Sequence, residues 1–177
     1  MFSPIHYGYY EAYMQTSLAA GTVNSMFMFS SQPVSSDGNE IDIEILSQEN
    51  DISHHTGLVH FTVFLPQGRK VTATVPLPFA PWAGLHKYGF NWTPDGIVWY
   101  IDQQPASITT CATSVVTPSA ETLVSNPSCF AGAQNVPQFP GLLIVNHWTN
   151  GQSWSGPAPS ADAAMTVYNV VLSPLKR

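Results

Sequence analysis

Positive charge is scarce in this sequence. The 177 residues include five Lys plus Arg against eleven Asp plus Glu, which gives a formal net charge of -6. A protein that binds nucleic acid normally presents a track of Lys and Arg that neutralises phosphates. The sequence therefore predicts that nucleic acid is not a partner.

Long apolar runs are missing as well. Polar residues or prolines interrupt every apolar stretch before it reaches the roughly 20 residues needed to cross a bilayer. The start of the chain, Met1–Pro4, also lacks the basic patch and apolar run of a signal peptide. We therefore expect a soluble protein without membrane contact, whose signal peptide was removed or whose chain begins inside a longer gene product.

No segment has the apolar spacing of an amphipathic helix. Fifteen Pro and twelve Gly are spread along the whole length, and aromatic residues make up 12% of the chain. Short alternating segments between turn residues predict an all-β, two-sheet sandwich in a single domain, residues 1–177. The turn at Pro94-Asp95-Gly96 predicts a hairpin. The predicted strands are Tyr7–Gln15, Gly21–Ser30, Glu40–Leu46, Leu58–Leu65, Lys70–Pro76, His86–Thr93, Gly96–Asp102, Gly141–His147 and Met165–Leu172.

Cysteine is nearly absent. Cys111 and Cys129 lie 18 residues apart within 103–140, which we predict to be one long loop. A disulfide and two buried free thiols are equally compatible with this spacing. Without a Cys-x-x-Cys pair or a Cys/His cluster, the sequence predicts no metal site and no cofactor.

One predicted strand carries three carboxylates on one face. Because side chains alternate along a strand, Glu40, Asp42 and Glu44 share one face and the intervening isoleucines share the other. Three adjacent acids repel one another, a cost that a purely structural strand has no reason to carry. A solvated edge strand or a calcium site is the alternative, although the further oxygen ligands that calcium needs are not evident.

This arrangement suits glycoside hydrolysis with retention, which needs two carboxyl groups about 5 to 5.5 Å apart. Four residues along a strand separate the Cα atoms by roughly 13 Å, a gap that two glutamate side chains largely close. In this hypothesis Glu40 is the nucleophile and Glu44 is the acid/base. Asp42 hydrogen-bonds to the nucleophile and supplies negative charge that keeps the acid/base protonated.

These residues resemble the signature Glu-x-Asp-x-Glu of glycoside hydrolase family 16, the laminarinase, lichenase and xyloglucan-transferase group. The resemblance extends over nearly the whole chain in the family's order. The further segments that carry it are Tyr7 to Glu11, Gly21 to Val23, His86 to Pro94, Ile97 to Asp102, Asn146 to Trp148, and Trp154.

The resemblance implies a β-jelly roll of the concanavalin A-like type with a concave cleft, and a secreted, extracellular, monomeric endo-β-glucanase. Its partner would be a β-glucan polysaccharide. The unbroken motif is similar to the lichenase branch and favours β-1,3/1,4-glucan. The family's sugar-contacting positions correspond to Asn146, Trp148, Trp154, Phe27, Phe29 and Glu11.

Two further candidates come from the strand after the motif, where His60 and Thr62 share a face. A structural histidine is the alternative for His60, and ordinary core packing is the alternative for Phe27 and Phe29.

The chain also departs from the family. Only six residues precede Tyr7, so the domain would lack the family's N-terminal strands, and Gly38-Asn39 stands where lichenases have Trp-Asp. Tyr13 occupies a commonly basic position, and Asn169 replaces an acid that helps hold calcium, so no calcium is predicted. A cell-wall transglycosylase with the same residues and a catalytically dead glucan-binding module remain the alternative functions.

Overall fold

The computed structural model describes residues 4–31, 39–115, 122–124 and 128–175, and β strands dominate them. The described helices are three short 3-10 turns, Ser47–Glu49, Pro66–Gly68 and Ala133–Asn135. No helix in these ranges is long and apolar enough to cross a bilayer. The strands are β1 (Gly8–Gln15), β2 (Val23–Ser30), β3 (Asn39–Leu46), β4 (Gly57–Leu65), β5 (Arg69–Leu77), β6 (His86–Thr93), β7 (Gly96–Ile101), β8 (Gln104–Pro105), β9 (Cys111–Val115), β10 (Thr122–Val124), β11 (Leu142–Trp148) and β12 (Thr166–Pro174).

These strands form two antiparallel sheets packed face to face. The smaller sheet has the order β12-β1-β6-β7-β8, and the larger has the order β10-β9-β5-β4-β3-β2-β11. This architecture is the predicted jelly-roll sandwich. Strand β3, which carries the three acids, lies inside the larger sheet with β2 and β4 hydrogen-bonded on either side.

Alternate residues of the two sheets build the core between them. Ile41, Ile43 and Ile45 of β3 are all fully buried. Phe61 of β4 stacks on Trp99 of β7 across the sandwich, with ring centroids 4.6 Å apart. Each large apolar side chain buried in this way contributes about 1.5–3 kcal/mol to folding, so the isoleucine face fixes which way the acids of β3 point.

All nine predicted strands are present, and their ends agree to within two residues. The predicted hairpin is confirmed, since β6 and β7 pair in register from Thr93↔Gly96 onward. Residues 1–3, which belong to the segment searched for a signal peptide, lie outside the described residues, as does Gly38.

The prediction of one long loop over 103–140 is wrong. Strands β8, β9 and β10 fall within this segment, and β9 pairs with β5, where Val71 faces Thr113. The strand pairing satisfies backbone groups along β5 that would otherwise need water. This segment is rich in Thr and Ser and has no alternating apolar pattern that could have predicted these strands. Residues 116–121 and 125–127 of the segment lie outside the described residues.

A disulfide joins Cys111 to Cys129, whose Cα atoms are 6.5 Å apart. Both residues are buried and belong to the core cluster. Of the two alternatives compatible with the spacing, the structure therefore has the bridge and not the free thiols. The bond closes the segment that contains β9 and β10 and restricts the unfolded chain there.

Candidate active site

The face of β3 opposite the isoleucines opens into a cavity of about 480 Å³. Glu40, Asp42 and Glu44 all line it. Asp42 is only 4% exposed, and the two glutamates are partly buried. The three acids thus face one shared cavity and are not left in bulk solvent, as their alternation along the strand predicts.

Strand register arranges the residues on this face of the larger sheet as three rows, one for each acid. Residues directly opposite in neighbouring strands have Cβ atoms about 4.5–5.5 Å apart. The rows are Asn146, Ser25, Glu44, His60 and Thr74; then Ile144, Phe27, Asp42, Thr62 and Thr72; then Leu142, Phe29, Glu40, Phe64 and Lys70.

Glu40 and Asp42 share a side-chain hydrogen bond. Burial, followed by the negative charges of Glu40 and Glu44, raises the pKa of Asp42 well above its usual value. Burial also raises the pKa of Glu40, but the hydrogen bond from Asp42 opposes this rise. When two carboxyl groups lie side by side, the pKa of one of them is strongly raised. The rise is stronger for Asp42, and this favours the protonated form of Asp42 beside Glu40.

Glu44 has a different set of neighbours. The indole N–H of Trp154 donates to Glu44 Oε1 at 3.2 Å, and His60 lies directly across from Glu44 on β4. Burial raises the pKa of Glu44, while the Trp154 hydrogen bond and the charge of His60 oppose the rise. The two glutamates of one strand face consequently have separate environments, as an acid/base and a nucleophile require.

Most of the residues predicted for the site come together around this cavity. Phe29, 39% exposed, and His60 lie on the same face of the sheet, in the rows of Glu40 and Glu44. The predicted residues that line the cavity itself are Glu40, Asp42, Glu44, Phe27, Thr62, Asn146, Trp148 and Trp154.

The structure does not place Glu11 in the cavity. Its neighbours Tyr10 and Ala12 are fully buried in the core, so Glu11 points to the outer face of the smaller sheet. There it is 2% exposed, accepts a hydrogen bond from Tyr9 at 2.5 Å and lies 3.6 Å from the ammonium group of Lys87. The assignment of Glu11 as a sugar contact is therefore corrected, because β1 belongs to the other sheet.

Four further residues line the cavity that were not selected from the sequence. Ser25 lies two residues before Phe27 and donates a hydrogen bond to Asn146 Oδ1, and Phe64 shares the face of His60 and Thr62. Alternation along β2 and β4 would have identified both. The other two, Lys70 and Thr72, belong to β5 and required the register between β4 and β5.

The described ranges contain no group of three or more His, Cys, Asp or Glu side chains that is arranged to hold a metal ion. The acids of β3 have one another, Trp154 and His60 as neighbours.

The fold and the cavity together define a jelly-roll sandwich with a row of acids across the open face of its larger sheet. The family model of Glycosyl hydrolases family 16 matches residues 3–157, and the chain belongs to this family.

Individual relatives are distant. A xylanase/beta-glucanase of Ruminococcus flavefaciens is 29% identical over 143 residues, which cover 81% of this chain and 14% of that protein. A beta-glucanase of Paenibacillus polymyxa is 27% identical over 167 residues, 93% of this chain and 58% of that protein. The solved structure of Bacillus licheniformis beta-glucanase superposes with a TM-score of 0.69 at 24% identity, over 98% of this chain and 69% of that one. The chain thus spans at most about three fifths of the length of these two curated relatives.

Proposed function

We propose that this chain cleaves the O-glycosidic bonds of β-1,3/1,4-glucans as a retaining endo-glucanase. The observation that carries the proposal is the unequal environment of two glutamates on one strand face. Glu40 lies beside Asp42, whose hydrogen bond favours the ionised form of Glu40, whereas burial raises the pKa of Glu44 and favours its protonated form next to Trp154. Retaining glycosidases need one ionised and one protonated carboxyl group beside the scissile bond.

In the proposed mechanism the Glu40 carboxylate attacks the anomeric carbon while Glu44 gives its proton to the glycosidic oxygen. The bond to the leaving sugar breaks, and a covalent ester links Glu40 to the remaining glycosyl group. Glu44, now ionised, takes a proton from water, whose oxygen attacks the same carbon and releases Glu40. Both protons are accounted for, and the configuration at the carbon is retained after two inversions.

Asp42 acts in this mechanism through its hydrogen bond to Glu40. Its raised pKa favours a neutral donor over the negative charge that the sequence alone suggested. A donated hydrogen bond stabilises the ionised form of Glu40 and fixes the position of the attacking oxygen. The neutral acid also avoids a second buried charge next to the nucleophile.

The choice of β-glucan rests on the relatives, whose names are xylanase/beta-glucanase and beta-glucanase, and on the walls of the cavity. The aromatic rings of Phe27, Trp148 and Trp154 supply apolar surfaces of the kind that pack against sugar rings, while Asn146 supplies an amide for hydroxyl groups. The unbroken spacing of the motif favours mixed-linkage glucan. The disulfide fits the proposed extracellular site of action.

The test is release of reducing ends from barley β-glucan by the full chain beside Glu40→Gln. We expect release by the wild type and a loss of about 10⁴-fold or more in the variant, because the amide cannot attack the anomeric carbon. Proton NMR of the first product should show the β-anomer before mutarotation. An α-anomer would exclude retention, and equal release by both proteins would remove Glu40 from the mechanism.

The same assay separates the alternative functions, because a sugar acceptor that replaces water in the second step gives transglycosylation. Longer oligosaccharides from a short β-glucan donor would indicate a transglycosylase. Binding of glucan by the wild type without any bond cleavage would indicate a glucan-binding module.

A further inference from the structure

The Trp154 loop is held by the residues that follow the acidic strand. Gln48 donates hydrogen bonds to the backbone oxygen of Trp154 at 2.6 Å and to that of Ser153 at 3.0 Å. Gly156 has φ +84, and a Cβ there would lie 2.6 Å from the Gln48 side-chain oxygen. Glycine at this position thus lets the loop lie close against the 3-10 turn that begins after β3.

A second contact holds the ring itself. The imidazole of His60 meets the Trp154 indole edge to face, with centroids 5.1 Å apart. Both imidazole nitrogens have partners: Nε2 lies 2.6 Å from Glu49 Oε2, and Nδ1 lies 3.0 Å from Thr74 Oγ1. With both nitrogens engaged, the His60 ring has one orientation, and it forms a fixed wall for the indole.

We propose that Glu49 and His60 are positioning residues that hold the Trp154 indole with its N–H on Glu44. The catalytic meaning of this assignment rests on the proposed function, in which Glu44 is the acid/base. Trp154 itself is 40% exposed on a loop, and its ring packs edge to face against His60. Neither Glu49 nor Gln48 was singled out by the sequence.

The ionisable groups that face His60 are Glu49 from the 3-10 turn and Glu44 from β3, while Thr74 faces it from β5 and Trp154 from the loop. Glu49 and His60 therefore influence Glu44 in two ways, through the orientation of the Trp154 indole and through the charge of His60. Both effects favour the ionised form of the Glu44 carboxyl group.

The experiment is the ¹⁵N–¹H spectrum of the indole groups of the five tryptophans, which needs no substrate. Loss of one signal in Trp154→Phe identifies the Trp154 resonance. In the wild type this signal should titrate with pH as Glu44 changes protonation. In His60→Gln it should move to the position of a solvent-exposed indole, and its titration should weaken and shift to higher pH.

His54→Gln is the matched control, because His54 pairs with Asp51 at 2.7 Å on the exposed surface, away from the cavity. It should leave the Trp154 signal in place. If His60→Gln disturbs all five indoles, Glu49→Ala decides, since it removes the partner of His60 Nε2 and leaves the imidazole itself in place. A Trp154 signal at the wild-type position in the folded variants would overturn the proposal.

Activity gives the second readout. His60→Gln should lower kcat/KM about ten- to a hundredfold through misplacement of the acid/base. In a Trp154→Phe background the same change should have little further effect, since both act through one contact. Fully additive losses would contradict the assignment. A chain without glucanase activity would refute the proposed function and leave the result of the NMR experiment standing.

Discussion

Two groups of buried carboxylates lie on opposite outer surfaces of the sandwich, and they differ in their partners. Glu11, on the smaller sheet, has a cation and a phenol for neighbours, Lys87 and Tyr9. Asp42 and Glu40, on the larger sheet, have each other, with Glu44 next along the strand. A buried charge with an opposite charge beside it is satisfied within the fold. Buried acids that face one another cost stability, and such clusters are typical of functional sites.

After the loss expected for Glu40→Gln, the next largest difference between the two groups should come from Glu44→Gln. We expect kcat/KM on polymeric β-glucan to fall about 10²–10⁴-fold, because the amide cannot protonate the departing oxygen. On an aryl glycoside with an acidic phenol as leaving group, the loss should be much smaller in the glycosylation step. Reducing-sugar release and phenol absorbance measure the two cases.

Glu11→Gln is the matched control for that comparison, since it makes the same chemical change on the other sheet. Its activity should stay within about twofold of wild type. Equal losses on the polymer and on the aryl glycoside in Glu44→Gln would argue against a role for Glu44 as acid.

The second prediction concerns the stability role of Glu11. Glu11→Gln should lower the free energy of unfolding by about 1.5–3 kcal/mol, because the neutral amide loses its charged contact with Lys87. Urea unfolding measures this difference. Lys87→Met should be less harmful in the Glu11→Gln background than in the wild type, as a double-mutant cycle would show. A tenfold loss of activity at native stability would instead return Glu11 to the substrate site.

The misplacement of Glu11 shows what the sequence can and cannot predict. Alternation along β1 correctly puts Glu11 opposite Tyr10 and Ala12. It does not say which of two sheets the strand joins, since this depends on pairing with β6 and β12, far along the chain. For β3 the same alternation sufficed, because all three acids belong to one strand.

The contacts around Glu44 illustrate a second limit. His60 and Trp154 were candidates on the basis of strand parity and family resemblance. Their mutual contact depends on a loop that packs back onto the turn after β3, 106 residues earlier in the chain at Gln48. A local sequence pattern does not predict a contact between residues so far apart in the chain. The position of Glu49 beside His60 was therefore evident only from the fold. The short strands β8 to β10 escaped prediction for the same reason, since their pairing partners define them.

The weakest effect that we expect is that of Asp42→Asn on the pH dependence of stability. The pKa of Asp42 is raised above its ordinary value of 3.8. The folded protein therefore keeps a proton that the unfolded chain releases, and its free energy of unfolding declines as pH rises from 3.8 towards the raised pKa. An asparagine side chain does not titrate. As pH rises over this window, the free energy of unfolding of the variant should therefore increase relative to that of the wild type by about 1 kcal/mol or more.

Urea unfolding of both proteins at several values from about pH 4 to pH 8 measures this gain. An asparagine oriented with its N–H towards Glu40 keeps the donated hydrogen bond, so Asp42→Asn should retain more activity than Asp42→Ala. A stability difference that does not change with pH would mean that Asp42 is ionised in the folded state. The carboxyl group would then supply negative charge beside Glu40, and the proton shared by the pair would have to lie on the nucleophile.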